Sequence, residues 1–385
     1  MSHVPSTVTS LSDSIGLYLH IPFCSAICDY CNFNRGLYDE TLKRRYVSAI
    51  KYEIESWTDG RLVDSIFFGG GTPSLLTAND VSEILAACSS VFTVTADVET
   101  TLEMNPESCT QSHIKELLDA GITRVSLGVQ SFLDHELKRL GRAHTVDEAR
   151  AAITAIRSAG CDNLSIDLML WLPAQTREDC LKSVKEMVGC DPDHASLYML
   201  EIYPNSPLRD EMARRDWSLA PEEDASGMYF DALGVTDSAG YQQYEISNVA
   251  RSGRHSRHNL KYWRYQNWIG FGCGAHSMLD GCRWKNISEI TGYIDAIGQR
   301  KPVAEVPRSL STEELLGEAI FMGLRLNEGI DVHKFGKEYG VDLRTRFGPD
   351  LGPCMAQGLL IDDDGRWRLS RKGMLLSNEV MRTFV

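Results

Sequence analysis

No stretch of this 385-residue chain approaches the roughly 18 consecutive apolar positions that a membrane-spanning helix needs. The opening residues, MSHVPSTVTSLSDS, have neither the basic start nor the apolar run of a secretion signal. Basic charge is short as well: 39 Lys and Arg stand against 53 Asp and Glu, a formal net charge of −14. That balance argues against a protein whose main task is to hold nucleic-acid phosphates or an anionic bilayer, although a local basic patch leaves room for peripheral membrane association. The expected setting is the cytoplasm. There the 11 cysteines should mostly stay reduced and serve as small buried hydrophobes. With 43% hydrophobic and 24% charged residues, the chain has the composition of a globular protein with a sizeable core. Its length suits one large domain and a smaller one.

Also missing is a second cysteine or histidine pair close to Cys24, Cys28 and Cys31, so the C-x3-C-x2-C loop does not complete a zinc site. Three thiols in one short loop supply three ligands and leave one metal position open. The cysteine content alone would produce this spacing in roughly one chain in a hundred, so its surroundings must decide its meaning.

Those surroundings are regular. Apolar, β-prone runs at Ile15 to His20, Val63 to Phe68, Asp97 to Glu103, Arg124 to Gln130, Asn163 to Met169 and Ala195 to Ile202 alternate with helical patterns. Thr77 with Asp80, Thr145 with Glu148 and Thr176 with Asp179 have capping-box spacing, and Gly121, Gly160 and Gly189 sit where helices should stop. Six βα units predict an α/β fold with a parallel sheet. The rhythm alone suits an incomplete TIM-like barrel and an open doubly wound sheet equally. In both, the working end lies at the carboxyl ends of the strands. Cys24, Cys28 and Cys31 follow the first strand, Gly69-Gly70-Gly71-Thr72-Pro73 the second, and Glu103, Gln130, Asp167 and Glu201 lie near the ends of the next four. The glycine run lets backbone approach a ligand closely, or simply makes a tight turn.

The segments YLHIPFCSAICDYCNF, FFGGGTPS, LEMNP, SLGVQSF, RLGR and IDLMLWLP resemble the radical-SAM family of oxygen-independent coproporphyrinogen III oxidases and their heme-chaperone relatives, over nearly the whole chain. The resemblance implies a partial (β/α)6 barrel and a [4Fe–4S] cluster on Cys24, Cys28 and Cys31. It further implies that the amino and carboxylate groups of S-adenosylmethionine (SAM) take the fourth iron, and that SAM cleavage yields methionine and a 5′-deoxyadenosyl radical. Carried over to this sequence, the SAM contacts are Tyr18, Gly70, Gly71, Thr72, Glu103, Gln130, Arg142 and Asp167. Taken singly, Arg142 reads equally as a solvated helix-end charge and Asp167 as a structural hydrogen-bonding residue.

The chain departs from the family pattern at several places. Trp171 and Ala174 stand where glycines are usual, so the fifth βα loop is expected to be crowded; Asn32 replaces a common aspartate. Phe33 occupies the place of a fourth cysteine typical of the oxidase branch, and only 23 residues precede Cys24. Both features favour the heme-chaperone branch, with heme as cargo for an acceptor such as a respiratory cytochrome. The alternative is radical decarboxylation of coproporphyrinogen III.

From Asn205 the βα rhythm stops, and HNLKYW matches the chaperone branch's HNxxYW motif. It makes His258, Tyr262 and Trp263 the heme candidates, with Cys273 and His276 as weaker ones. Read without the resemblance, His258 is as well explained as a structural hydrogen-bonding histidine. From Ser309 several helices precede a hairpin turn at Asp364-Gly365, a winged-helix-like pattern in which Arg366, Arg368, Arg371 and Lys372 suit packing or docking better than nucleic acid. The expected organisation is thus a core over 1–204, an α+β accessory region over 205–308 and a C-terminal module over 309–385. The implied partners are a heme-accepting protein, an electron donor such as a flavodoxin or ferredoxin, and a second copy in a homodimer.

Overall fold

In a computed structural model that describes residues 14–384, six strands lie side by side in chain order, all parallel. They are β1 (Ser14–Ile21), β2 (Leu62–Gly70), β3 (Thr93–Met104), β4 (Arg124–Gln130), β5 (Leu164–Leu170) and β6 (His194–Met199). Helices α1 (Glu40–Glu55), α2 (Ala78–Val91), α3 (Gln111–Asp119), α4 (Val146–Ser158) and α5 (Arg177–Gly189) make the crossovers. Sequential order is what an incomplete (β/α)6 barrel requires and what a doubly wound sheet, whose order reverses midway, does not have. The segment 1–13 read above for a leader lies outside the described residues. No helix among those described is long and apolar enough to cross a membrane.

Residues on the strands alternate between two surroundings. Leu17, Leu19, Ile66, Phe68, Leu102, Val125, Leu127, Ile166, Leu168, Ala195 and Leu197 are buried in the apolar core that the helices cover. Tyr18, Ser65, Glu99, Glu103, Arg124, Ser126, Ser165, Asp167, His194 and Ser196 fall between them on the concave side. A barrel interior is usually filled with branched apolar side chains. A polar interior has a ligand or a network to satisfy.

The sheet does not end where the rhythm does. After α6 (Glu222–Ser238), β7 (Asn248–Ala250) pairs antiparallel to β6. After the two-turn helix α7 (Arg257–Trp263), β8 (Trp268–Phe271) pairs parallel to the free side of β1 and leads into β9 (His276–Leu279) and β10 (Cys282–Lys285). Phe271, Tyr293 and Ile294 share the apolar cluster of Leu17 and Phe68. The boundary at 204 is thus a change of sequence rhythm within one sheet and one core. A second cluster, from Leu316 to Phe384, holds helices Thr312–Gly323, Val332–Tyr339 and Leu343–Ala356 and the hairpin of Leu360–Asp363 with Arg366–Leu369. The four basic residues named above are engaged within the chain: Arg366 donates to the Glu328 carbonyl, Arg368 pairs with Asp363, Arg371 reaches Asp237 of α6 at 2.5 Å and Lys372 donates to the Gln357 carbonyl.

Local signals meet mixed outcomes. Thr77 with Asp80 and Thr145 with Glu148 form full capping boxes, whereas at Thr176 only the side-chain cap to the Asp179 amide is matched. Gly121 and Gly160 take the left-handed positions after α3 and α4, but Gly189 is still helical and Asp191 turns left-handed instead, at φ 48°. The sixth strand stops at Met199, so Ile202 and Glu201 lie in the following loop. The fifth loop keeps the backbone that glycines would favour without having them: φ is 62° at Trp171 and 52° at Ala174. Neither side chain is in the wall of the cavity below, so the expected crowding does not occur. The Trp171 indole turns away, donating to the Ala220 carbonyl at 2.7 Å. Left-handed backbone costs a non-glycine residue about 1 kcal/mol. Ala174→Gly is therefore expected to raise the unfolding free energy by about 0.5 kcal/mol, the remainder being offset by the looser unfolded chain. Trp171→Gly should lower it through lost packing, and urea titration of both variants reads the sign. A destabilised Ala174→Gly would show that the strain is not the deciding effect.

Candidate functional site

The loop after β1 begins with two residues, Phe23–Cys24, laddered in parallel to Gly36–Leu37, so both ends of the cysteine loop are tied together. The glycine run after β2 is stitched beneath it: the Gly71 amide donates to the Ile21 carbonyl at 2.8 Å and the Thr72 amide to the Phe23 carbonyl at 2.7 Å. A Cβ on Gly71 would sit 2.7 Å from the Phe23 oxygen, and one on Gly70, at φ 118°, would sit 2.6 Å from the His20 ring. Protein atoms, then, already demand these glycines. Cys24 is buried, Cys28 and Cys31 half-buried. Burial pushes the Cys24 and Cys31 thiols up, a cost that binding a metal as thiolate reverses.

Arg142 anchors the far side. Its guanidinium donates to the Cys28 Sγ at 3.4 Å, to the Asn105 Oδ1 at 2.7 Å and to the Gly128 carbonyl at 2.8 Å, and Asn105 in turn donates to the Thr72 hydroxyl at 3.0 Å. Arg142 is thus a brace running from the Cys28 thiol to the glycine run, and not a helix-end charge in solvent.

All three thiols, Gly70, Gly71, Thr72, Glu103, Gln130, Arg142, Asp167 and Glu201 line one cavity of about 330 Å³ at the loop end of the barrel. That is within the range of small-molecule sites. Glu103 accepts from the Gly70 amide at 3.0 Å, and Asp167, midway along β5 and not at its end, accepts from Ser126 at 3.3 Å. Burial, with the Asp167 charge second, pushes Glu103 up to about 7; burial likewise raises Asp167. Gln130 holds a left-handed backbone, φ 69°, at the wall. Two dehydrated carboxylates facing one cavity call for a cationic, hydroxyl-bearing ligand. The methionine ammonium, sulfonium and ribose of SAM match that donor set, and three adjoining thiols match an iron–sulfur cluster with one open iron.

Tyr18 borders a second cavity, of about 830 Å³, that shares Asn32, Phe33, Gly70, Glu103 and Tyr203 with the first. Burial raises the Tyr18 hydroxyl well above its ordinary value; it is within 3.1 Å of His20 Nδ1.

The HNLKYW helix α7 does not offer its histidine to this space. His258 Nδ1 lies 3.1 Å from the Ser65 hydroxyl and Nε2 lies 2.8 Å from the Tyr262 hydroxyl, so both ring nitrogens are taken. Burial drives its pKa down to about 3. The side chain is 1% exposed, packed against Gly16 near the start of β1 and Phe67 past the middle of β2. Lys261 pairs with Asp64 at 2.7 Å beside it, and Glu99 caps the helix through the Arg257 amide at 2.8 Å. Of the parts open to His258, axial ligand, close support of a heme site or structural hydrogen-bonding histidine, the contacts at both ring nitrogens fit a buried support. Trp263 stacks under Arg325 at 4.2 Å, away from the cavity that Tyr262 lines. Cys273 is buried with its sulfur within reach of Asn34 and Tyr46.

Sequence reasoning missed Arg124. It is 2% exposed on the concave side and is a cation acting on Glu99, Glu103 and Asp167. Its signal was the alternation Arg124, Ser126, Gly128, Gln130, polar or small on one side of a strand whose other side is Val125, Leu127, Val129.

Comparison with known proteins agrees with this geometry. Residues 18–187 match the radical SAM superfamily and residues 310–376 the HemN C-terminal domain. The heme chaperone HemW of Bacillus subtilis is 33% identical, with 96% of this chain and 98% of that protein covered. The mitochondrial radical S-adenosyl methionine domain-containing protein 1 of Bos taurus is 32% identical over 98% of this chain and 88% of its own length. Among solved structures, coproporphyrinogen III oxidase (HemN) from Escherichia coli superposes with a TM-score of 0.84 at 22% identity, covering 98% of this chain and 91% of its own, which shows a shared fold.

Proposed function

Because this chain belongs to the HemW family of heme chaperones within the radical SAM superfamily, we propose that it takes up heme and delivers it to an acceptor protein. The observation that carries this reading is the second cavity. It is large, it opens beside the cluster loop, and Phe33, 64% exposed, stands at its mouth where the oxidase branch has a cysteine. Tyr203, Tyr262 and Trp268 give it the apolar faces a porphyrin plane packs against.

Cys24, Cys28 and Cys31 would hold the [4Fe–4S] cluster, and Glu103 and Asp167 would receive the ammonium and hydroxyl groups of SAM. When bound, the pair supplies a one-electron reductive cleavage of the sulfonium. Arg142 steadies the Cys28 thiolate by charge and hydrogen bond, Thr72 and Asn105 keep the glycine run in register with the loop, and α7 shuts water out of the opposite end of the barrel. A cytoplasmic setting, a heme-accepting protein and a flavodoxin or ferredoxin as electron donor complete the proposal.

The test is an anaerobic assay of reconstituted protein with heme and with coproporphyrinogen III in parallel. The expected result is a Soret band on heme addition and no steady formation of protoporphyrinogen IX. Sustained turnover of coproporphyrinogen III would promote the oxidase reading, and absence of any heme spectrum would end the chaperone one.

A further inference from the structure

A carried heme needs a ligand for its iron, and on the reading proposed above the structure assigns that part to His276, with Lys285 beside it to meet a propionate. Four observations converge on this pair. His276 is exposed in the wall of the 830 Å³ cavity, and among the described residues no hydrogen bond forms at its ring, in contrast to the two that occupy His258. It lies directly across from Lys285 in the register of β9 with β10. Cross-strand partners project from the same face with Cβ atoms about 5 Å apart, and both line the cavity. Lys285 makes no ion pair among the described residues, and it is the only Lys or Arg in that wall.

The aromatic frame around the pair is built for rigidity. The Trp268 indole donates to the His276 carbonyl at 3.1 Å and meets the Tyr262 ring edge-on at 4.8 Å, and Tyr262 is held by His258. The HNLKYW motif thereby acts on the site at one remove: His258 is a positioning residue for Tyr262, and Tyr262 for Trp268. Burial, then the Lys285 and Arg283 charges, keep the His276 imidazole below its ordinary pKa. A neutral ring with a free lone pair is the form that ligates iron. The charge count agrees with the cargo. One lysine suits the two propionates of heme, one of them left to solvent, better than the four carboxylates of a coproporphyrinogen.

The experiment titrates hemin, and metal-free protoporphyrin IX as the iron-independent probe, into cluster-loaded protein. Iron content and melting temperature are measured on the same preparations. His276→Ala is expected to shift the Soret band and weaken hemin binding about tenfold or more, with added imidazole restoring the band, while protoporphyrin IX binding stays unchanged. Lys285→Glu should weaken both porphyrins without moving the Soret maximum. His258→Asn should lower the melting temperature and keep the histidine-ligated Soret position. His276→Gln, which keeps a polar edge residue, repeats the test on a second background. An unaltered Soret band and hemin affinity in both His276 variants would overturn the assignment and leave the chaperone reading standing. Failure of the unmodified protein to bind hemin would remove both.

Discussion

Cys28→Ala should bring the iron and acid-labile sulfide of anaerobically reconstituted protein from about four of each per chain to near zero. The expectation rests on more than spacing. The cysteine loop is clamped at both ends by the Phe23–Cys24 and Gly36–Leu37 ladder, and Arg142 donates to the Cys28 sulfur. With the thiolate gone, that guanidinium faces a gap, and the two remaining ligands cannot hold a cubane against chelation. Cys282→Ala, half-buried and away from the cavity, should leave the iron content unchanged. A full cluster in a triple alanine variant of Cys24, Cys28 and Cys31 would move the ligands elsewhere.

Arg124→Met should cost about 1–3 kcal/mol of folding free energy, because its buried charge acts on three carboxylates through space and not as a direct ion pair. Glu99, Glu103 and Asp167 all lose a stabilising cation. The loss should depend on pH. Burial already holds Glu103 at about 7 in the fold against an ordinary 4.5. Between those values the folded protein keeps a proton that the unfolded chain releases, so this group's contribution to stability falls as pH rises through the window. Without Arg124 the folded pKa climbs further, and the window widens upward. Urea unfolding near pH 5 and near pH 8 should therefore show a larger deficit at the higher pH. Equal deficits at both would mean that lost packing, and not charge, sets the cost.

The six strands and the gathering of the cysteine loop at their carboxyl end were legible because their signals are local: apolar alternation, capping residues and three cysteines within eight positions. Glycine as a stop signal worked at Gly121 and Gly160 and failed at Gly189, since an aspartate two residues on can also adopt the left-handed turn. What stayed hidden depends on distant partners. His258 looks like a metal ligand until Ser65, far earlier in the chain, is found at its Nδ1. Arg124 looks like a strand-end charge until its burial and its charge effect on Glu99, Glu103 and Asp167 are seen. His276 drew less weight than His258 because no motif spacing distinguishes a histidine with idle nitrogens from one with occupied nitrogens.

Helix α7 has a consequence for traffic. By filling the amino end of the barrel with His258, Lys261 and their partners, it turns an open tube into a vessel with one mouth. The two cavities share Gly70, Glu103 and Phe33 in their walls. On the function proposed above, the places for SAM and for a porphyrin would then adjoin, with Gly70 and Glu103 in the wall between them, so that filling one would change the surface offered to the other.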